Sequence, residues 1–237
     1  MLEIHDLKKR FGDNEVLKGF NMQLKEGENL VIMGKSGSGK SVMIKCLMGL
    51  MQPDSGDIQI MGKTVLELEQ ADWDQLRKKI GFLFQGSALY DSMTVRENLE
   101  FPLRKQDMPQ KEKDKLVHQA LESVGLLQAI ELVPNELSGG MKRRVALARA
   151  IILHPKIIIY DEPTTGLDPI TAKEIIQLMR EIQKIHGSSA LIITHDVDCS
   201  RVIADRMILL IDGVNYAEGS FEEISSSTDE RIQAFFK

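Results

Sequence analysis

The sequence contains Gly34-Lys35-Ser36-Gly37-Ser38-Gly39-Lys40-Ser41, a glycine-rich stretch that fits the pattern Gly-x-x-x-x-Gly-Lys-Ser/Thr. The apolar run 29–33 before it predicts a short strand, and the helical spacing of apolar residues in 41–51 predicts a helix after it. In such a turn, glycines let backbone N–H groups converge on phosphate oxygens, and the helix start adds its positive dipole end. We therefore expect a nucleotide site rather than a glycine turn that fits by chance. Lys40 is expected to reach the β and γ phosphates, and the Ser41 hydroxyl to hold Mg²⁺.

A second predicted strand, 157–160, leads into two adjacent carboxylates, Asp161 and Glu162. Successive side chains of a strand point to opposite faces, so we expect the two carboxylates to have different roles. Asp161 is expected to act on Mg²⁺, and Glu162 to orient or deprotonate the attacking water. Exposed strand-end acids without a function are the alternative.

The regions around these two stretches predict an α/β core interrupted by a helical segment. Lys40 and Asp161 lie 121 residues apart, which is far more than one crossover helix needs. We expect one domain, with a core formed by 1–86 and 156–237 and a helical subdomain at 87–155. The predicted strands are 2–7, 22–24, 29–33, 157–160, 190–194 and 207–211, and the predicted helices are 41–51, 111–124, 140–153, 171–186 and 198–204.

Composition, cysteine content and apolar run length give expectations about the class of protein. A hydrophobic content of 43% in 237 residues is enough for a packed core, and a net charge of -5 gives no support for sequence-independent nucleic-acid binding. Cys46 and Cys199 have no metal-ligand spacing and are expected to be reduced, partly buried thiols. The first residues lack the basic start and apolar stretch of a signal peptide, and the apolar runs are far shorter than the roughly 20 residues that cross a bilayer. A role at a membrane would therefore need a separate membrane subunit.

A second candidate anion site lies at Ser138-Gly139-Gly140, directly before a predicted helix. Ser138 is a plausible N-cap, and the two glycines expose N–H groups. Taken alone, this is an ordinary helix cap.

Together these motifs resemble the ATP-binding cassette (ABC) family over nearly the whole chain. Residues 34–41 resemble the Walker A motif, and Asp161-Glu162 the end of Walker B. Leu137-Ser138-Gly139-Gly140 is similar to the signature motif, Gln85 to the Q-loop, Asp168 in 166–169 to the D-loop, and His195 to the switch histidine. The resemblance implies a P-loop NTPase with a RecA-like α/β core, an N-terminal antiparallel β region and an inserted helical subdomain.

The resemblance also implies a mechanism. Two copies would pair head to tail, with each ATP held between the Walker A motif of one copy and the signature of the other. Phe11 would stack on adenine, Gln85 would sense Mg²⁺ and water, and His195 would contact the γ-phosphate. A core aromatic at Phe11 and a hydrogen-bonded strand-end histidine at His195 are the alternatives. The implied nucleotide-binding set is Phe11, Gly34, Lys35, Ser36, Gly37, Ser38, Gly39, Lys40, Ser41 and Val42, and the implied metal set is Ser41, Gln85 and Asp161.

Two positions depart from the family pattern. Met141 ends the signature where many members have Gln, and Val42 follows Ser41 where many have a hydroxyl residue. Val42 is expected to lose one α-phosphate contact that a backbone N–H partly replaces. Neither change affects the γ-phosphate chemistry, so we expect an active ATPase.

The segments 84–104, 140–146, 168–171 and 229–236 are similar to the ATPase of Mla-type lipid transporters. This similarity implies an ATPase homodimer beneath integral membrane permease subunits, at the cytoplasmic face of the inner membrane, with a lipid-binding envelope protein as a further partner. The residues after Gln85 would form the groove for a permease coupling helix. The ATPase of a lipoprotein-release or small-solute transporter, and a non-transport ABC ATPase, are the alternatives.

Overall fold

The computed structural model describes residues 1–236 and divides into two compact units. One unit comprises Met1–Leu76 together with the segment from Ser189 onward, and the other comprises Arg77–Ser188. The predicted helical segment 87–155 lies within the second unit. Within residues 1–236, no helix combines the length and the apolar composition needed to span a bilayer.

The first unit contains an antiparallel sheet formed largely by the N-terminal residues. Its strand order is β2-β1-β4-β5. A tight turn at Gly12-Asp13 joins β1 and β2, and Phe11 and Asn14 pair across it. The antiparallel pairing of β1 with both β2 and β4 confirms the N-terminal β region. The strands are β1 (Leu2–Phe11), β2 (Asn14–Leu24), β4 (Ser55–Ile60) and β5 (Lys63–Thr64).

The same unit contains strands that carry the phosphate loop. Strand β3 (Asn29–Met33) pairs in parallel with β8 (Ser189–Thr194) and β9 (Arg206–Ile211), and β10 (Val214–Gly219) is antiparallel to β9. All residues of β3 and β8 are buried, as their apolar sequences require. The helices are α1 (Lys40–Leu47), α2 (Gln70–Arg77, whose last residue belongs to the second unit), α7 (Val197–Ile203), α8 (Phe221–Ser225) and α9 (Glu230–Gln233). Cys46 and Cys199 are both buried, as expected.

The second unit is mainly helical. Its strands β6 (Ile80–Leu83) and β7 (Ile157–Asp161) pair in parallel. Helix α5 is central to it, because it contacts α3, α4, α6 and β6. The helices are α3 (Val95–Glu100), α4 (Gln110–Ser123), α5 (Gly139–Ile151) and α6 (Pro169–His186).

The predicted elements are confirmed with shifted ends. Strand 29–33 matches β3, and the helix predicted at 111–124 is α4, one residue earlier at each end. The helix predicted at 41–51 ends at Leu47, and the strand predicted at 2–7 continues to Phe11. Strands β4, β6 and β10 and helices α2 and α3 were not predicted.

Candidate functional site

The phosphate loop lies between β3 and α1, as its sequence predicts. At two glycines of the loop, a side chain would lie too close to neighbouring atoms. Gly39 has a φ of 109°, and a Cβ there would lie 2.9 Å from Leu17 and 3.0 Å from the Val16 carbonyl oxygen. A Cβ at Gly34 would lie 2.5 Å from the Ser38 Oγ and 2.7 Å from the Leu210 carbonyl oxygen. The glycines thus permit a tight loop that ends at a helix N-terminus.

The polar groups of the loop suit an anion. The Lys40 side chain is only 8% exposed, and its Nζ donates to the carbonyl oxygens of Gly34 at 2.5 Å and Lys35 at 3.1 Å. The Ser38 Oγ is buried and has no hydrogen-bond partner among residues 1–236. A buried cation and an unpaired buried hydroxyl beside a helix start form a set of donors that a phosphate can satisfy.

Two further predicted residues belong to this unit. His195 is exposed directly after β8, and the pairing of Met33 with Thr194 places it beside the start of the phosphate loop. Phe11 is 48% exposed at the end of β1, with the Lys9 Nζ 5.7 Å from its ring centroid. The alternative of a core aromatic at Phe11 is therefore wrong.

A cleft of about 720 Å³ lies beside the phosphate loop in the first unit. It is lined by residues of the loop and by C-terminal residues that include Arg231 and Phe235. The Lys35 Nζ lies 5.5 Å from the centroid of the Phe235 ring. Sequence reasoning did not associate this C-terminal segment with the loop, because no motif marks it and the two are some 200 residues apart.

In the second unit, the acidic pair lies at the end of β7. Asp161 is the last residue of the strand, whereas Glu162 follows it with a left-handed φ of 49° and a buried side chain. The sequence predicts different roles for the two carboxylates because strand alternation would separate them. This reason is wrong, because Glu162 lies after the end of the strand. The Thr165 hydroxyl donates to the Glu162 Oε2 at 3.2 Å.

Gln85 is exposed in the turn after β6. Leu83 of β6 pairs with Tyr160 of β7, so the turn and the acidic pair follow the same edge of these two parallel strands. The structure thus brings Gln85 to the strand edge that carries Asp161 and Glu162, although the two segments are far apart in sequence.

The signature and the D-loop are adjacent helix starts in this unit. Ser138 caps α5, as predicted, with its Oγ accepting from the Met141 N–H at 3.2 Å. Asp168 caps α6, and hydrogen bonds from the Thr171 hydroxyl and amide hold the pKa of its carboxyl below the ordinary value. A Cβ at Gly140 would lie 2.7 Å from the Thr171 Cγ2, which shows how closely the two helix starts approach.

The metal ligands expected from the sequence, Ser41, Gln85 and Asp161, stay a prediction. Among residues 1–236, no group of three or more His, Cys, Asp or Glu side chains is placed to hold a metal ion. The expected ligands Ser41, Gln85 and Asp161 are all oxygen donors, which suit Mg²⁺ when phosphate oxygens complete its coordination.

The second unit also has an aromatic groove of about 620 Å³ next to the Gln85 turn. Two aromatic pairs line it, Phe82 with Phe84 at 4.2 Å and Tyr90 with Phe101 at 4.6 Å between ring centroids. Arg149 lies 6.0 Å from the Tyr90 ring, and burial lowers the pKa of its guanidinium.

Comparisons with known proteins agree on one family. A family model described as ABC transporter matches residues 17–165. The ATP-binding protein of the intermembrane phospholipid transport system of Haemophilus influenzae is 37% identical over 238 residues, covering 100% of this chain and 90% of its own length. A methionine import ATP-binding protein of Rhizobium johnstonii is 38% identical over 98% of this chain, which spans 64% of that relative's length. The corresponding protein of Clostridium tetani is 40% identical over 90% of this chain and 67% of its own length.

Solved structures give the same result. An ATP-binding cassette in a dimeric post-hydrolysis state, bound to ADP and Pi, matches with a TM-score of 0.83 and 34% identity, covering 93% of this chain and 99% of its own. A Clostridium perfringens component of an ABC transporter complex matches with a TM-score of 0.88 and 31% identity, covering 100% of this chain and 94% of its own. With its phosphate loop, acidic strand end and signature helix, the chain belongs to the ABC transporter family, as a nucleotide-binding ATPase subunit.

Proposed function

We propose that the chain hydrolyses ATP with the residues that its sequence singles out. The phosphate loop, with Lys40, binds the phosphates, and Phe11 stacks on adenine. Glu162 orients or deprotonates the attacking water, while His195 contacts the γ-phosphate. The observation that carries this proposal is the phosphate loop itself, whose buried Lys40 and unpaired Ser38 hydroxyl suit a bound phosphate.

The proposed metal is Mg²⁺, held by Ser41, Asp161 and Gln85 together with phosphate oxygens. When bound, it neutralises charge that develops on the transferred phosphoryl group. The role of this chain's residues is to supply oxygen ligands and to keep Glu162 available for water.

We propose that the working form is a homodimer in which Ser138, Gly139 and Gly140 of one copy contact the nucleotide of the other. The dimeric cassette bound to ADP and Pi supports this arrangement. Further support comes from the surface, because Ser138, Gly139 and Asp168 are exposed and Ile170 beside them is 73% exposed. The nucleotide would then join two copies, and its hydrolysis would release them.

The aromatic groove after Gln85 is the proposed docking site for a membrane permease. A short helix with apolar side chains fits a groove lined by Phe84, Tyr90 and Phe101, and acidic groups at its ends would be attracted by Arg104 and Arg149. Such docking would hold the chain at the cytoplasmic face of the inner membrane.

We propose phospholipid as the transported substrate, with a lipid-binding envelope protein as a further partner. The similarity of segments 84–104, 140–146, 168–171 and 229–236 to Mla-type ATPases supports this, as does the 37% identity with the phospholipid transport relative. The methionine import relatives are 38–40% identical, which makes methionine import the competing function.

Purification from native membranes in a mild detergent tests both the docking and the substrate. We expect a permease and a lipid-binding protein to co-purify with the chain, and extraction followed by mass spectrometry to recover bound phospholipid. Tyr90→Glu should abolish co-purification, whereas Ile185→Glu should not, because Ile185 is 70% exposed and does not line the groove. Recovery of a permease with a methionine-binding protein would indicate methionine, rather than phospholipid, as the transported substrate. Recovery of soluble partners alone would contradict a role in transport.

A further inference from the structure

Arg143 connects two segments of the second unit that carry proposed functional residues. It lies on α5 and is only 4% exposed. Its Nη1 donates to the Phe84 carbonyl oxygen at 2.8 Å, and its Nη2 donates to the Thr165 carbonyl oxygen at 3.2 Å. One guanidinium therefore holds both the segment before Gln85 and the segment after Glu162.

Each of these carbonyl groups belongs to a further hydrogen-bonded turn. The Phe84 oxygen also accepts from the Ser87 N–H at 3.0 Å, which closes the turn that contains Gln85. On the other side, Thr165 donates its N–H to the Glu162 carbonyl oxygen at 3.3 Å and its hydroxyl to the Glu162 Oε2 at 3.2 Å. A continuous hydrogen-bonded path thus runs from the Gln85 turn through Arg143 and Thr165 to the Glu162 carboxylate.

The stability of the fold does not explain a charged residue at this position. Burial lowers the pKa of the Arg143 guanidinium, and its Nε has no hydrogen-bond partner among residues 1–236. Within the same residues, no carboxylate lies within ion-pair distance of it. A buried charge that is held only by two carbonyl groups is costly, and an apolar side chain of similar length would be easier to bury. The geometry of the path, rather than packing, accounts for an arginine here.

We propose that Arg143 and Thr165 are positioning residues that fix the Glu162 carboxylate relative to the Gln85 turn. The inference rests on the proposed catalytic role of Glu162. Because Phe84 also lines the aromatic groove, a partner that docks there and shifts the turn would move Arg143, and through Thr165 it would reorient the carboxylate. Neither Arg143 nor Thr165 belongs to the proposed nucleotide-binding or metal-binding residues, so removal of either side chain should slow turnover without weakening nucleotide binding.

Steady-state ATP hydrolysis by the full-length chain tests the path. Arg143→Met and Thr165→Val each remove hydrogen bonds at similar side-chain size. We expect each to lower kcat by about 10-fold to 100-fold and to leave KM for ATP within about twofold, as when a group that orients a reacting residue is lost. The matched control is Arg144→Met on the same helix, because Arg144 bonds to Val124 and Glu174 instead and should leave kcat near that of the unmodified chain.

The double variant distinguishes a shared path from two separate defects. If Arg143 and Thr165 act through one path, the loss in the double variant should be close to that of a single variant rather than the product of the two. Thr165→Ser keeps the hydroxyl and should retain most of the rate. If Arg143→Met folds poorly, the comparison of Thr165→Ser with Thr165→Val still tests the path. Losses that multiply, or a Thr165→Val variant as active as Thr165→Ser, would overturn the proposal.

Glu162→Gln in the same assay separates this inference from the proposed function. If Glu162→Gln retains near-normal turnover, Glu162 is not catalytic, and the proposed positioning role of Arg143 and Thr165 fails with it. If Glu162→Gln is inactive while Arg143→Met and Thr165→Val are both fully active, only the positioning role fails.

Discussion

At the scale of the residue, Glu162 combines features that favour a reactive group over a structural one. Its side chain is buried, its backbone adopts a left-handed conformation that non-glycine residues rarely adopt, and a threonine hydroxyl orients one carboxylate oxygen. Backbone strain of this kind persists where the surrounding structure imposes it, and it is concentrated at functional sites. Because Glu162 follows the last residue of β7 in this conformation, it does not continue the alternation of that strand.

Glu162→Gln should therefore separate ATP binding from hydrolysis. The amide keeps the size of the side chain but cannot act as a base, so we expect turnover to fall by about 10²-fold or more, with ATP affinity retained. With ATP and Mg²⁺ present, the variant should accumulate as a dimer in size-exclusion chromatography. Thr165→Ser should stay predominantly monomeric under the same conditions, since it still hydrolyses ATP. A Glu162→Gln variant that remains monomeric, even when bound to its membrane partner, would contradict the proposed shared site.

At the scale of the element, the starts of α5 and α6 are packed as one unit. Both helices have side-chain caps, Ser138 and Asp168, and Gly140 leaves room for the Thr171 methyl group. The signature and the D-loop would therefore move together. A change in the distance between these two helix starts should therefore alter the proposed dimer contacts of the signature and of the D-loop together.

Gly140→Ala should disturb this packing. The added methyl group would lie 2.7 Å from the Thr171 Cγ2, so the helix starts must separate. We expect the free energy of unfolding to fall by about 1–3 kcal/mol, as in other overpacked sites, measured by chemical denaturation. Thr171→Ser removes that methyl group, keeps the hydroxyl that bonds Asp168, and should restore most of the loss when it is combined with Gly140→Ala. A double variant no more stable than Gly140→Ala would show that the contact is not the cause.

The sequence predicts the long apolar elements and the loop motifs, but not the contacts between distant segments. Strand β3 is an unbroken apolar run that leads into a glycine-rich turn, helix α4 has apolar residues at helical spacing, and the phosphate loop has a fixed residue pattern. Strand β6 has only four residues, so its pattern cannot be distinguished from a loop. The role of Arg143 could not be predicted either, since its partners Phe84 and Thr165 are 59 and 22 residues away and both contribute backbone atoms, which leave no trace in side-chain identity.

At the scale of the whole molecule, the pH dependence of stability includes a contribution from a half-buried histidine. This histidine is His186, the last residue of α6. Burial, and to a lesser extent the neighbouring His154 ring, lower its pKa below the ordinary value of 6.5. The Nδ1 atoms of the two rings are 3.3 Å apart, in a cleft that Glu122 also lines.

Stability should therefore decrease in mild acid. Because the folded chain holds His186 at a lowered pKa, the unfolded chain binds the proton at a higher pH, and the free energy of unfolding falls as pH decreases through about 6.5. Thermal unfolding between pH 7.5 and pH 5.5 should show this loss. His186→Gln should reduce the loss, whereas His118→Gln on the exposed face of α4 should not. An unchanged pH dependence in His186→Gln would contradict the assignment.

The two cysteines have a practical consequence. Both thiols are buried in the first unit, and burial raises the pKa of Cys46, so the reactive thiolate is scarce in the folded state. An alkylating reagent can reach these thiols only when the first unit unfolds locally. The rate of labelling therefore reports how often this local unfolding occurs. ATP bound at the phosphate loop would stabilise the folded first unit and so slow this labelling.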